Sequence, residues 1–80
     1  VKVNIIYYGY FREITGKCKE FSDFDVQNLK ELFYQLNKKY NFELNIDEVL
    51  ISVNGIYQNY SDYELNENDE VIILPPMSGG

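Results

Sequence analysis

Asp25-Val26-Gln27-Asn28-Leu29-Lys30-Glu31-Leu32-Phe33-Tyr34-Gln35-Leu36-Asn37-Lys38-Lys39-Tyr40-Asn41 carries the one sustained helical period in this chain. Val26, Leu29, Leu32, Phe33, Leu36 and Tyr40 recur at spacings of three and four, so a helix gathers them into a single apolar stripe. Asp25 is the expected N-cap, because its short carboxylate can accept from the amides that a first turn leaves unpaired. Lys38 and Lys39 fall in the last turn, where cations suit the helix dipole. Asn41 tolerates the left-handed conformation that stops a helix. The predicted helix is therefore Val26–Tyr40, and its stripe must be covered by something.

The flanking segments read as strands. Upstream, Val1, Val3, Ile5 and Tyr7 alternate with Lys2, Asn4, Ile6 and Tyr8, so the first set faces a core. The apolar end of the second set, Ile6 and Tyr8, is unusual for a solvated face. Gly9 ends that strand, and Tyr10 to Thr15 reads as a short helical turn closed by a left-handed Gly16. Lys17 to Phe21 alternates again, with Cys18 and Glu20 on one side. Downstream, Phe42 to Glu48 reads as a polar connection, and Val49 to Val53 as a second apolar strand. Asn54-Gly55 predicts a tight hairpin, since both central positions of a type I′ turn need positive φ. Ile56 to Tyr60 is the short returning strand, and Ser61 to Asp69 a loop anchored by Leu65. Glu70 to Leu74 is the last strand. The order fits a mixed sheet wrapped across one face of a single helix, an α+β, β-grasp (ubiquitin-like) arrangement over residues 1–80 as one domain. First and last strands then lie side by side and parallel at the centre. That places Tyr8 and Leu74 near each other on the face away from the helix, with Tyr57 as a third member of an apolar, partner-binding patch.

Pro75-Pro76-Met77-Ser78-Gly79-Gly80 follows the last strand directly. Consecutive prolines lack ladder donors and favour a stiff, extended exit. Ser and two glycines then give a slim, flexible tail that backbone can approach closely. Such a tail fits a narrow channel, and the expected seat of its chemistry is the main-chain carboxyl group of Gly80, the other reading being a frayed terminus.

Composition narrows the function classes. A net charge of −6 repels phosphate backbones, so nucleic acid is not an expected partner, and a basic protein surface is the natural complement. With no histidine and a single cysteine, the chain lacks the usual proton shuttle, and no metal site of the zinc type is expected. Cys18 has no local histidine or helix N-terminus beside it and reads as a tolerated thiol of a reducing compartment. The acidic run Asp62, Glu64, Glu67 and Asp69 has no calcium-loop spacing and reads as a solvated face. No stretch spans a bilayer and no signal-peptide pattern opens the sequence, so the expected location is cytoplasmic.

Phe11-Arg12-Glu13-Ile14-Thr15-Gly16, Val53-Asn54-Gly55, Leu65 with Asp69-Glu70-Val71, and the closing Pro75-Pro76-Met77-Ser78-Gly79-Gly80 together resemble the small, sulfur-carrier subunits of molybdopterin synthase. Two departures stand out: Asn68 where that family commonly has Gly, and tyrosine for phenylalanine in the opening strand. Asn tolerates positive φ, so the turn can survive. The resemblance implies a non-catalytic sulfur donor with no bound cofactor. A ubiquitin-activating-like adenylyltransferase would use ATP to adenylate Gly80, a sulfur donor system would convert it to a thiocarboxylate, and a large catalytic subunit would accept the tail. Pro75, Pro76, Met77, Ser78 and Gly79 then serve as reach. The alternatives are a sulfur carrier for thiamine or tRNA thiolation, a ubiquitin-like modifier, and a plain interaction module.

Overall fold

Alternating burial over Lys2–Tyr7 defines β1, with Val3, Ile5 and Tyr7 inside as the pattern demands. The computed structural model describes residues 1–58 and 62–75. The short helix α1 is Tyr10–Thr15, and Gly16 closes it at φ 74°. Then come β2 (Lys19–Asp23), α2 (Leu29–Tyr40), a 3₁₀ turn at Ile46–Glu48, β3 (Leu50–Val53), β4 (Ile56–Tyr57) and β5 (Asp69–Leu74). The sheet order is β2-β1-β5-β3-β4, with β1 and β5 parallel at its centre and the other neighbours antiparallel. One apolar cluster holds β1, β3 and β5 against the stripe Leu29, Leu32, Phe33 and Leu36 of α2. This is the β-grasp arrangement.

Local chemistry accounts for the corners. Asn54 and Gly55 have φ of 53° and 87°, as the two central positions of the hairpin require. Asn68, at φ 67°, turns the chain into β5, and its amide donates to the Lys2 carbonyl at 2.7 Å. Leu65 is buried and anchors its loop. The acidic run is only partly solvated. Asp69 is buried and accepts from the Asn54 side chain and the Asn66 amide, both at 2.8 Å, so it serves as a bracket between hairpin and β5.

Several details differ from the sequence reading. The helix is capped by Asn28, not Asp25: the Asn28 side chain accepts from the Glu31 amide at 2.9 Å. Val26 is buried but not helical, because its neighbours pair elsewhere. Leu29 donates to the Tyr63 carbonyl and Leu65 to that of Gln27, a bridge centred on Asn28 and Glu64. Second, β2 begins at Lys19, leaving Lys17 and Cys18 exposed before it. Third, Phe42 lies at the centre of the core instead of in a polar connection, fully buried against Phe11, Phe33 and Tyr40. The returning strand of the hairpin covers Ile56–Tyr57, and Asn59, Tyr60 and Ser61 lie outside the described residues.

The one buried carboxylate facing inward from β2 is Glu20. It accepts from the hydroxyls of Tyr7 and Tyr40, each at 2.8 Å, and from the Lys39 ammonium at 3.0 Å. Burial alone would push the Glu20 carboxyl up, but the donors from Lys39, Tyr7 and Tyr40 outweigh it and hold its pKa below the ordinary glutamate value. Burial, then the Glu20 carboxylate, pushes the Tyr7 phenol well above its usual range. A carboxyl whose pKa is lowered by folding stabilises the fold above its unfolded value of about 4.3, and that contribution disappears as pH falls through the lowered value. Glu20→Gln should therefore be less stable than the parent at neutral pH, with the gap closing as pH drops below about 4. Urea midpoints measured from pH 7 to 3 check this, and a gap that stays constant would break the linkage.

Candidate functional site

The outward face of the sheet carries the side chains that alternate with the core. On β5 these are Glu70, Ile72 and Leu74, and on β1 Lys2, Asn4 and Ile6. Register sets them in rows. Ile6 lies opposite Ile72, Ile72 opposite Ser52, and Ser52 opposite Tyr57, so one row crosses from the sheet centre to its edge. Leu50 lies opposite Leu74 in the next row. Tyr8 follows β1, and its amide donates to the Ile73 carbonyl at 3.4 Å, which carries it alongside Leu74.

Of the three patch residues predicted from sequence, Tyr8 and Tyr57 are exposed, at 47% and 62%, and Leu74 is half-buried. Their strands bring all three to one side of the sheet. The structure adds Leu50, exposed at 40%, and the half-buried Ile72, and it puts Ile6, half-buried, on the same face. It also adds Phe21, exposed at 57% on β2 opposite Asn4. Period-two parity would have found Ile72: in Glu70-Val71-Ile72-Ile73-Leu74 every second side chain must leave the core. Together these side chains leave an apolar strip on the outward face of the sheet.

This face lies at the foot of the terminal segment. Pro75 follows β5 directly and packs against Gly9, where a Cβ built on the glycine would lie 3.1 Å from Pro75 Cγ. Gly9 has φ 54°, so a side chain there is doubly disfavoured. Pro76, Met77, Ser78, Gly79 and Gly80 lie outside the described residues. No group of three or more metal-ligating side chains occurs among the described residues. No helix among them is long and apolar enough to cross a membrane.

A five-stranded mixed sheet clasping one main helix, with an apolar outer face beside its last strand, defines a ubiquitin-like β-grasp protein. Residues 5–80 match the ThiS family, and the chain belongs to that family. It is 30% identical to the molybdopterin synthase sulfur carrier subunit of Caenorhabditis briggsae, over all of this chain and 99% of that one. A structure of a candidate molybdopterin converting factor subunit 1 from Pyrococcus furiosus superposes with a TM-score of 0.82 at 29% identity, covering 96% of this chain and 99% of the other. The fold also matches, at TM-score 0.71 and 24% identity over the full length of both chains, a chain from the complex of subunits 1 and 2 of the molybdopterin-converting factor of Helicobacter pylori.

Proposed function

We propose that this chain is a sulfur-carrier subunit of molybdopterin synthase, a donor without catalytic groups of its own. The observation that carries the reading is positional: β5 ends at Leu74 beside an exposed apolar face, and in the sequence Pro75 leads directly from it to the closing Gly-Gly. The chain-long likeness to sulfur carrier subunits supports it. The carboxylate of Gly80, ionised at neutral pH, resists nucleophiles and needs activation. An adenylyltransferase joins it to AMP from ATP and releases pyrophosphate. A donor supplies sulfide-level sulfur, which attacks the acyl carbon and displaces AMP, leaving a thiocarboxylate. The loaded carrier docks through Tyr8, Leu74 and Tyr57 on a large catalytic subunit, whose active site takes the tail. There the sulfur passes to a cyclic pyranopterin precursor, and two deliveries complete the dithiolene. Acid–base groups come from the large subunit, in keeping with a chain that has no histidine.

The chemical step is tested by intact mass after incubation with a cognate activating enzyme, ATP and a sulfur donor. The expected change is the exchange of one oxygen for sulfur at Gly80, and an unmodified mass in a competent reaction overturns the reading. Docking is tested by Leu74→Asp. A charge placed in a desolvated apolar contact should cost on the order of 2–3 kcal/mol of affinity for the large subunit. The isolated domain should keep its fold, since Leu74 points away from α2. Unchanged affinity would remove this face from the interface.

A further inference from the structure

The net charge of −6 is polarised along the central strands. At one end Lys2 lies opposite Asp23, Asn4 opposite Glu70, and the Lys2 amide donates to Glu67 at 3.1 Å. Acids dominate that end. At the other end β1 reaches Tyr7, whose amide donates to the Cys18 carbonyl, and Lys19 lies opposite Ile6. There an open pocket of about 840 Å³ is lined by Arg12, Lys17 and Lys19 together with Gly9, Gly16 and Cys18, and Glu13 is its one acidic lining residue. Lys17 is partly engaged, 3.9 Å from Glu20 and over the Tyr40 ring. Arg12 and Lys19 are exposed and have no ion-pair partner among the described residues.

Gly9 belongs both to this pocket and to the packing under Pro75. The pocket therefore adjoins the foot of the terminal segment. The composition alone points to a basic partner, but the surface around the tail's foot has the opposite sign. We propose that the Arg12–Lys17–Lys19 pocket is a docking surface for a carboxylate-bearing patch on the enzyme that activates Gly80, an inference that rests on the sulfur-carrier reading above. Exposed cations pair weakly with a partner, so their effect falls on encounter and orientation rather than on affinity. With acids at the far pole, an acidic partner draws the carrier in tail end first. A free anion is a poorer occupant, because solvated side chains in an open pocket leave it largely hydrated.

The test compares the parent with Arg12→Glu/Lys19→Glu in stopped-flow association with the activating enzyme across a salt series. At low salt the double variant should associate about tenfold more slowly, and the difference should vanish at high salt, where charges are screened within a few ångströms. In the mass assay the loss should fall on KM. Arg12→Gln/Lys19→Gln should move the rate in the same direction by less, which separates charge from misfolding. Equal or faster association of the charge-reversed chain at low salt overturns the proposal, as does absence of binding by the parent. ATP titrated into the carrier alone is the remaining arm: binding abolished by the double variant would assign the pocket to a nucleotide and overturn it too. Charge-dependent association without any mass gain would sink the sulfur-carrier reading and leave the docking surface standing.

Discussion

Phe42→Ala is expected to remove about 3–5 kcal/mol of stability, the usual cost of deleting a fully packed ring. The ring is completely buried, edge-on to Phe11 at 4.8 Å between centroids, and close to Phe33 and Tyr40 at 5.8 Å each. It therefore packs α1, through Phe11, against two points on α2, Phe33 and Tyr40. The Tyr10 hydroxyl also donates to the Phe42 carbonyl at 2.7 Å, tying the start of α1 to the same point. With roughly 0.05–0.15 kcal/mol per residue in total for such a domain, this loss is a large share of its stability, and the variant should melt well below the parent. Urea and thermal melts of Phe42→Ala and Phe42→Leu measure this, with the Leu variant retaining most of the fold because its side chain still fills much of the site. A loss below about 1 kcal/mol for the Ala variant would mean that the ring is not packed as described. Because α1 carries Arg12, partial loosening here should also slow association with an acidic partner.

Phe42 was hidden in the sequence for a physical reason. It stands alone in Asn41-Phe42-Glu43-Leu44-Asn45, a stretch whose polar composition reads as loop. The available signal was its position: the residue after a left-handed helix cap commonly packs back on the helix it has just left. Asn41, at φ 59°, is that cap. Asn28 was missed differently. Val26 and Leu29 are three apart and both buried, so the helical period runs on through a segment that instead bridges to Glu64. Such pairing is distant in sequence and leaves no periodic trace, although Asn28 followed three residues later by Glu31 is itself a capping signature. What could be read locally was read well. Gly16, Asn54-Gly55 and Asn68 adopt positive φ where their turns need it, and the alternation of Val3, Ile5 and Tyr7 fixed the buried face of β1. The apolar outer face was legible at Tyr8 and Leu74 because apolar residues appeared on the wrong parity. The cationic pocket was not, since Arg12 on α1 and Lys19 at the start of β2 line one pocket only in the folded chain.

Deletion of Gly80 should leave a carrier that docks and cannot deliver. The shortened tail still ends in a glycine carboxylate of nearly the same chemistry, so a failure reports position and not reactivity. One residue of extended chain spans about 3.3–3.6 Å, and a misplacement of about 1 Å can cost roughly a hundredfold in rate. Sulfur transfer should thus fall by at least that factor while binding to the large subunit is unchanged, because Tyr8, Leu74 and Tyr57 are untouched. Adding a residue after Gly80 should fail equally, by placing extra length where the reacting carbon belongs. Cys18→Ser is the matched control. Its thiol is exposed in the cationic pocket and is the one other sulfur nucleophile in the chain. If the carrier atom belongs to Gly80, this variant should transfer sulfur at the parent rate. The measurement is molybdopterin formed from precursor by the reconstituted pair, with carrier binding determined separately. Loss of transfer in a folded Cys18→Ser would move the sulfur to the thiol, and full transfer without Gly80 would remove the terminal carboxyl from the mechanism.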